Sequence, residues 1–320
     1  MSRWFARGWM TGLLMLLAAC SDPEPPAEPA APAPHVQSRD ADAAYYDELR
    51  ERWFELEHAS RQPAQSGSDS AAPGPAEPVP PIEPTPEPLA SSPRGRPALA
   101  IVIDDVGHNL RQGQRLIALS QPVALAILPH TQAARQLATE AAAAGQTVML
   151  HQPMENGAGL SIGPGGLYSG MSRAEMQQLL SSNLDSFSPV AGLNNHMGSR
   201  LTAERDAMDA VMQILRERGL FFIDSRTTHH TQAAFAAEAA GVPHLSRNVF
   251  LDNERSVEAI ARAFDRAVDL ALREGIALVI GHPYPQTLEF LEQRLAGDLW
   301  EREGVEIVGV EELLARKYGQ

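Results

Sequence analysis

The sequence predicts an α/β fold over residues 98–320, a distorted (β/α) barrel of seven or eight strands. Three observations support this prediction. Short aliphatic runs alternate with longer stretches of helical periodicity, the runs are apolar on both faces, and polar residues end them. Strands that are apolar on both faces and alternate with helices are typical of a buried parallel sheet. We expect seven or eight such strand–helix units, close to the eight of a complete (β/α) barrel.

The expected strands are short runs rich in Val, Ile, Leu and Ala. They occupy residues 98–105, 123–130, 147–153, 190–196, 220–226, 248–252, 276–283 and 305–310. The stretches between them repeat apolar residues every three or four positions, which indicates amphipathic helices. These expected helices cover residues 131–144, 172–187, 203–218, 254–274 and 286–302.

Polar side chains with catalytic or metal-binding chemistry follow one expected strand after another. In chain order they are Asp104 and Asp105, His130, His151, Asn194, Asn195 and His196, Asp224 and Ser225, Asp252, and His282. The carboxyl ends of parallel barrel strands meet at one mouth, where active sites lie. The sequence therefore predicts a cavity that holds at least two carboxylates and several imidazoles. Asp252 precedes Asn253, and we expect it to cap the next helix instead.

The composition argues against several classes of protein. A single cysteine excludes a disulfide framework and a cysteine-based zinc site. The formal net charge of −14 and the absence of a basic patch argue against a nucleic-acid partner. Lys317 is the only lysine, which argues against a Schiff-base lysine or a phosphate-loop lysine.

Paired aspartates with several histidines favour a metal site of imidazole and carboxylate ligands. Zinc commonly takes three such ligands and keeps a fourth position for water, whose pKa it lowers. Asp104 and Asp105 would repel each other if both were charged in one apolar pocket. A cation bound to one of them removes that cost and leaves the other as a general base. The chain has no Gly-x-Ser-x-Gly motif and no phosphate-binding glycine loop, so we expect metal-assisted hydrolysis.

Residues 1–20 are expected to be a lipoprotein-type signal peptide. Two arginines precede an apolar run from Trp9 to Ala19, which is too short to span a bilayer. The run ends in Leu-Ala-Ala-Cys20, which resembles the lipobox of bacterial lipoproteins, whose cysteine is lipidated. The resemblance implies export, a lipid anchor on Cys20 at the periplasmic side of the envelope, and, with Ser21 next, the outer membrane. The alternative is an ordinary signal peptide or a short uncleaved anchor.

Residues 21–97 are expected to form a Pro/Ala-rich disordered tether. They contain 17 of the chain's 25 prolines, and such sequence buries too little apolar surface to fold. One short helix is expected near 41–58, where Tyr45, Leu49 and Trp53 share a face. The composition thus predicts an extended spacer ahead of the barrel.

Five motifs in the expected barrel resemble one known family. They are Ile103-Asp104-Asp105-Val106-Gly107, His151-Gln152-Pro153-Met154-Glu155, Asn194-Asn195-His196-Met197-Gly198-Ser199, Asp224-Ser225-Arg226-Thr227 and Gly281-His282-Pro283. In this order they resemble the divergent polysaccharide deacetylase family. That family is a bacterial envelope branch of a superfamily that includes chitooligosaccharide and peptidoglycan N-deacetylases. The resemblance covers about residues 98–318 and implies a distorted barrel with a divalent metal, most commonly Zn²⁺.

The resemblance also implies roles for individual residues. By position, Asp104 matches the family's catalytic base, Asp105 matches a metal ligand, and His282 matches the catalytic acid. The usual substrate motif of the family is absent, and residues 194–199 occupy its place. Four further residues are expected to orient these groups or to contact substrate: Asn194, Asn195, Asp224 and Ser225.

The identity of the third metal ligand remains open at this point. His151 matches the first histidine of the family's second motif, but Glu155 stands where a second histidine is usual. Either Glu155 or His196 is then the third ligand. We favour His196, because imidazole keeps the usual ligand chemistry and the neighbouring asparagines could orient it.

The implied function is a metal-dependent N-deacetylase of an envelope polysaccharide, such as peptidoglycan or a related glucosamine polymer. A second interpretation is a catalytically weak or inactive glycan-binding or scaffold lipoprotein, which the altered motifs favour. A third is a glycosidase that uses the carboxylates. The His-rich mouth argues against the third, because that chemistry usually needs two acids and no metal.

Overall fold

The computed structural model describes residues 95–297 and 302–319. The expected signal peptide over 1–20, the lipidation site Cys20 and the expected helix near 41–58 lie outside the described residues. The first described strand begins at Ala98. No helix within the described ranges has both the length and the apolar character needed to cross a lipid bilayer.

The described residues form nine strands. They are β1 (Ala98–Val106), β2 (Ala124–Ile127), β3 (Thr147–Met154), β4 (Gly192–Met197), β5 (Phe221–Asp224), β6 (His244–Ser246), β7 (Val249–Phe250), β8 (Ile276–Gly281) and β9 (Glu306–Ile307). All of their pairings are parallel, in the order β6-β5-β4-β3-β2-β1-β8-β7, and β9 pairs with β1. The prediction of an α/β barrel of seven or eight strands is confirmed as a curled sheet whose path contains eight strands.

The structure describes eight complete α-helices and one 3₁₀ turn beside these strands. The helices are α1 (Leu110–Ile117), α2 (Ala134–Ala143), α3 (Arg173–Leu184), α4 (Arg205–Arg218), α5 (Ala233–Ala240), α6 (Val257–Glu274), α7 (Pro285–Arg294) and α8 (Val310–Tyr318), and the 3₁₀ turn is Leu201–Ala203. Local signals explain several boundaries. Ser172 and Glu175 form a reciprocal capping box at the start of α3, and Gly219 ends α4 in the left-handed conformation.

The sequence interpretation missed four of these elements. Strand β6 and helices α1, α5 and α8 were not expected, and the run 305–310 is a strand only over Glu306–Ile307. These elements are short, from three to nine residues. A periodic signal over so few positions is weak. Packing within the fold determines these elements more than local pattern does.

Two apolar layers hold the sheet. The outward face of the strands packs against the helices in one large cluster that includes Leu99, Ile101 and Phe264. The inward face forms a second cluster with α8, in which Ala98, Ala100, Val102, Leu278 and Ile280 meet Leu313 and Leu314. Small alanines on the inward side leave room for α8. The inward face therefore begins as apolar core, and its character changes only at the carboxyl ends of the strands.

Candidate metal and catalytic site

The candidate site continues the inward face of the strands. Along β1, Ala100 and Val102 belong to the inward cluster, and Asp104 is the next residue on that face because side chains alternate along a strand. The same alternation reaches five other strand ends. Their inward residues are His151 on β3, Asn194 and His196 on β4, Ser225 after β5, Asp252 after β7 and His282 after β8. One face of the sheet thus supplies the polar mouth.

Strand β1 ends in two aspartates that both reach this mouth. In a regular strand, Asp104 and Asp105 would point to opposite faces. Asp105 instead adopts the left-handed conformation, with φ of 57°, and the register of β1 against β2 shifts between Ile103 and Val106. His151 Nε2 consequently lies 3.7 Å from Asp104 Oδ2 and 3.1 Å from Asp105 Oδ1. Such a conformation costs on the order of 1–3 kcal/mol and is typical of functional sites.

Gly107 makes this tight strand end possible. Its φ is 129°, and a Cβ at this position would lie 2.1 Å from Thr131 Oγ1. A larger residue would therefore displace either Thr131, which follows β2, or the end of β1. The glycine of the Asp-Asp-Val-Gly motif thus has a packing role in placing both carboxylates.

Three buried residues bring potential ligand atoms together. Asp105 Oδ1 lies 3.1 Å from His151 Nε2 and 2.9 Å from His196 Nδ1, and the two ring nitrogens are 3.2 Å apart. On a tetrahedral zinc ion with bonds of about 2.0–2.1 Å, two ligands lie roughly 3.3 Å apart. The donor atoms therefore already have nearly the separations that a metal ion requires. Among the described residues, these three form the cluster suited to holding a metal.

Asn194 orients both His151 and Asp104. Its Nδ2 donates to Asp104 Oδ1 at 2.6 Å, and its Oδ1 lies 2.8 Å from His151 Nδ1. A carboxylate can only accept hydrogen bonds, so the amide orientation is defined and Oδ1 must face the imidazole. His151 Nδ1 therefore carries a hydrogen, so Nε2, which lies toward Asp105 and His196, is the nitrogen left to bind a metal. This is the tautomer that a metal ligand needs.

Asp252 holds His282 on the other side of the mouth. Asp252 Oδ1 is 2.9 Å from His282 Nδ1, and Oδ2 accepts from the His282 backbone N–H at 2.6 Å and from Thr287 Oγ1 at 2.8 Å. The ring presents Nε2 to the site, 4.0 Å from Asp105 Oδ2. A carboxylate on Nδ1 fixes the ring and favours its protonated form. The expectation that Asp252 caps a helix is wrong, because α6 begins after Ser256 and Asp252 is committed to His282.

Burial and mutual charge shift the pKa values of these groups. Burial raises the pKa of Asp104 above its ordinary value, with the charge of Asp105 adding to the rise and the two imidazoles opposing it. Burial alone would lower the pKa of His151, but the carboxylates of Asp104 and Asp105 outweigh it and raise that pKa. The cluster thus stabilises positive charge. A divalent cation supplies such charge, so the donor set fits a metal by chemistry as well as by distance.

Glu155 lies outside the donor cluster. Its Oε2 accepts from both the N–H and the hydroxyl of Ser169 at 2.6 Å, and its Oε1 is 3.4 Å from Arg200 Nε. Glu155 is the first residue after β3, and its contacts with Ser169 and Arg200 hold its carboxylate away from the donor cluster. Of the two candidates for a third ligand, the structure brings His196 to the cluster and not Glu155.

The remaining expected residues fall into two groups. Ser225 is on the inward face, and its Oγ lies 3.3 Å from Asn194 Nδ2. Asn195 and Asp224 are on the opposite face and support backbone instead. Asn195 accepts from the Ser225 N–H at 2.9 Å, and Asp224 accepts from the Arg226 N–H at 2.8 Å. Both residues shape the loops of the mouth, and Asn195, unlike Asp224, also lines the cavity over the donor cluster.

A small, partly open cavity lies over the donor cluster. Besides the polar residues, Met197, Thr227 and Phe250 line it, and the Phe250 ring stacks on the His282 ring with centroids 6.2 Å apart. The cavity therefore combines an apolar wall with the carboxylates and imidazoles. This combination suits a small group that has both an apolar part and an atom to be attacked.

The fold and the site together define an α/β barrel protein with a candidate metal centre at the carboxyl ends of its strands. A family model described as divergent polysaccharide deacetylase matches residues 101–314. The chain belongs to the divergent polysaccharide deacetylase family, as the motifs indicated.

Two bacterial proteins match part of the chain. An uncharacterized protein of Haemophilus influenzae is 36% identical over 218 residues, which cover 65% of this chain and 78% of that protein. The uncharacterized protein YibQ of Escherichia coli is 38% identical over 203 residues, which cover 63% of this chain and 64% of that protein. The chain thus spans just under two thirds of the latter's length.

A solved structure shares the fold. The crystal structure of the uncharacterized protein ATU2773 from Agrobacterium tumefaciens C58 aligns with a TM-score of 0.63 and 26% sequence identity, covering 68% of this chain and 89% of that one. The described barrel is therefore an arrangement that also occurs in an experimentally determined relative.

Proposed function

We propose that the protein is a metal-dependent carbohydrate N-deacetylase that hydrolyses acetamide groups on an envelope polysaccharide, such as peptidoglycan or a related glucosamine polymer. One observation carries the proposal. Two separately oriented proton-transfer groups, Asp104 and His282, flank a cluster whose donor atoms fit a metal ion. Amide hydrolysis needs this set, because it requires a base for the water and an acid for the amine.

Asp105, His151 and His196 would hold the divalent cation, most suitably Zn²⁺. When bound, the cation lowers the pKa of a water molecule and polarises the substrate carbonyl. The protein itself keeps the donor atoms buried from solvent and oriented toward one another. All three residues are buried, and Asn194 fixes the His151 tautomer through a bond of 2.8 Å.

Asp104 acts as the general base. Its Oδ1 is held by Asn194 at 2.6 Å, which leaves Oδ2 to take a proton from the attacking water. Burial raises the pKa of Asp104, and a raised pKa makes a carboxylate a stronger base near neutral pH.

His282 acts as the general acid. Burial alone would lower its pKa, but Asp252 outweighs this and raises the pKa above the ordinary value. The protonated ring therefore persists to higher pH, with Nε2 facing the site. As the amide C–N bond breaks, that proton passes to the departing sugar amine, while the water oxygen forms the new C–O bond to the acyl carbon.

The location of the protein is part of the proposal. A lipid on Cys20 would hold the chain at the periplasmic face of the envelope, on the outer membrane by the pattern of Cys20 and Ser21. Residues 21–97 would let the barrel reach wall glycan. Such an anchor would involve several acyl chains, because one chain gives only marginal membrane binding.

Acetate release from N-acetylglucosamine oligomers tests the proposed reaction. Zinc-loaded protein should release acetate, chelation should abolish the release, and added zinc should restore it. Asp104→Asn should lose at least about 100-fold of the rate, since general-base catalysis contributes about 10²–10⁴-fold. Absence of acetate from zinc-loaded wild type across glucosamine polymers would instead favour the non-catalytic glycan-binding interpretation. New reducing ends without acetate, formed by metal-free protein, would favour the glycosidase interpretation.

A further inference from the structure

An exposed aromatic ring stands beside the mouth. Tyr168 lies in the long loop between β3 and α3, and 42% of its surface is exposed. This loop runs along the end of β3. Leu167 N–H donates to Pro153 O and Glu155 N–H donates to Leu167 O, each at 2.9 Å. These bonds place Leu167 beside the end of β3, beyond the residues of β3 that pair with β2.

The register places this loop near the donor cluster. Pro153 of β3 pairs with His196 of β4, and Leu167 flanks Pro153 from the other side. Adjacent strands are about 4.8 Å apart, so the backbone near Tyr168 lies roughly 10 Å from the backbone of His196. That distance is larger than the acetamide group that reacts, and it suits the sugar next to the one that carries this group.

The Tyr168 ring connects to the cavity by direct packing. A Cβ placed on Gly166 would lie 3.0 Å from Tyr168 Cε2 and 2.6 Å from Ile162 Cδ1, so both side chains meet over this glycine. Ile162 packs with Met197 in a small buried cluster, and Met197 lines the cavity. The buried side chains of Ile162 and Met197 thus connect the cavity wall to the base of the exposed ring.

A charged pair completes this rim. Arg200 exposes 57% of its side chain, and its Nε lies 3.4 Å from Glu155 Oε1. The Arg200 and Leu201 N–H groups both donate to Glu155 O at 3.1 Å, and Ser169 holds the other carboxylate oxygen. The hydrogen bonds from Ser169 lower the pKa of Glu155. The Arg200 guanidinium thus lies beside Glu155 and Glu204, with more than half of its side chain open to solvent.

We infer that Tyr168 and Arg200 form a subsite for the sugar unit next to the one that is deacetylated. The ring offers a flat apolar platform with a polar edge, which matches a pyranose face. The guanidinium offers several planar donors to the sugar's hydroxyl oxygens. Glu155 is a positioning residue in this subsite, because it holds Arg200 from the buried side. The subsite makes the protein selective for oligomeric over monomeric N-acetylglucosamine.

This inference rests on the proposed glycan substrate, but binding tests it separately from turnover. The probes are N-acetylglucosamine tetramer and monomer, measured by calorimetry on the zinc-loaded full chain. Wild type should bind tetramer more tightly than monomer. Tyr168→Ala and Arg200→Gln should each weaken tetramer binding by about tenfold and leave monomer binding unchanged, since an aromatic contact contributes about that much.

Two further variants control the measurement. Tyr168→Phe keeps the platform and should retain most of the tetramer affinity. Leu272→Ala removes another exposed apolar side chain, 47% exposed, near the end of α6 at the opposite end of the barrel, and should change nothing. Equal tetramer affinity in wild type, Tyr168→Ala and Arg200→Gln would overturn the subsite, as would a wild type that does not prefer tetramer.

Acetate release in the same samples separates the two proposals. Selective tetramer binding without acetate supports the subsite and contradicts the deacetylase function. Acetate release at equal kcat/KM from wild type, Tyr168→Ala and Arg200→Gln supports the function and contradicts the subsite. If both proposals hold, the two variants raise KM for tetramer about tenfold with little change in kcat.

Discussion

Replacing Asp252 with asparagine removes a buried negative charge from His282 and keeps nearly the same volume. In the native site, Asp252 accepts three hydrogen bonds, from His282 Nδ1, the His282 backbone N–H and Thr287 Oγ1. The asparagine amide has one oxygen and one NH₂ group, so it cannot accept all three. If the oxygen keeps the backbone and Thr287 bonds, the NH₂ group faces Nδ1. This arrangement disfavours the protonated ring.

The size of the effect follows from the loss of one charge-assisted bond. Such a bond contributes about 1.5–3 kcal/mol, and one pKa unit corresponds to about 1.4 kcal/mol. Asp252 is fully buried, so solvent does not screen the interaction. The pKa of His282, which Asp252 raises in the native protein, should therefore fall by about one to two units in Asp252→Asn.

The sign of the activity change follows from the acid role. His282 can donate a proton only while it is protonated, so activity is lost as pH rises through its pKa. In Asp252→Asn that alkaline limb of kcat/KM should move about one to two units lower, and the rate above it should fall about 10–100-fold. Acetate release across a pH series measures the limb, and an NMR titration of the His282 ring measures the pKa without turnover.

Asp185→Asn is the matched control. Asp185 is an exposed carboxylate paired with Arg218 on the surface, and its replacement should leave both the pH profile and the NMR titration unchanged. An unshifted His282 titration in Asp252→Asn would refute the electrostatic role assigned to Asp252. An unshifted alkaline limb with a shifted titration would show that another group is the acid.

Three other predictions follow from the site and the amino-terminal segment. His196→Gln should weaken zinc binding by more than about 10–100-fold, which is the typical cost of losing a residue that only hydrogen-bonds a ligand. Glu155→Gln should keep zinc at wild-type stoichiometry. Elemental analysis after dialysis measures both, and zinc loss in Glu155→Gln alone would contradict the ligand assignment. Asn194→Ala should lower zinc affinity about 10–100-fold, because His151 loses the bond that fixes its tautomer; unchanged affinity in a competition titration would contradict that role. Cys20→Ser should move the protein from the membrane fraction to the soluble fraction after cell breakage, and wild-type protein already in the soluble fraction would contradict a lipid anchor.

Much of the barrel could be predicted from the sequence, because buried parallel strands are continuous apolar runs. The expected runs at 98–105, 147–153 and 276–283 correspond closely to β1, β3 and β8. The same runs also predict which residues reach the mouth, since a polar residue directly after an apolar strand must lie at its carboxyl end. That reasoning places Asp104, His151 and His282 in one site before any coordinates are known.

The sequence did not predict which polar residues point into the mouth and which ones bind loop backbone instead. Because both faces of a parallel strand are apolar, the pattern does not reveal which face points inward. Asp252 and Asp224 look alike in sequence, yet Asp252 is inward and holds His282 while Asp224 is outward and holds loop backbone. Asp105 departs from the alternation altogether, through its left-handed conformation.

Sequence spacing alone does not decide whether Glu155 or His196 joins the donor cluster. Glu155 lies four residues after His151, as the family's second histidine would, but Ser169 and Arg200 hold its carboxylate away from the donor cluster. His196 is distant in sequence and close in space, since β4 pairs beside β3. Ligand chemistry favoured His196 from the sequence, and strand pairing provides the physical reason.

The most direct test of the proposed metal centre is a crystal structure of zinc-loaded protein with anomalous scattering measured at the zinc edge. We expect one strong peak, bonded at about 2.0–2.1 Å to Asp105 Oδ1, His151 Nε2 and His196 Nδ1, with Asp104 and His282 beside it and unbonded. A peak bonded to Glu155, or zinc-loaded crystals with no peak between these three residues, would contradict it.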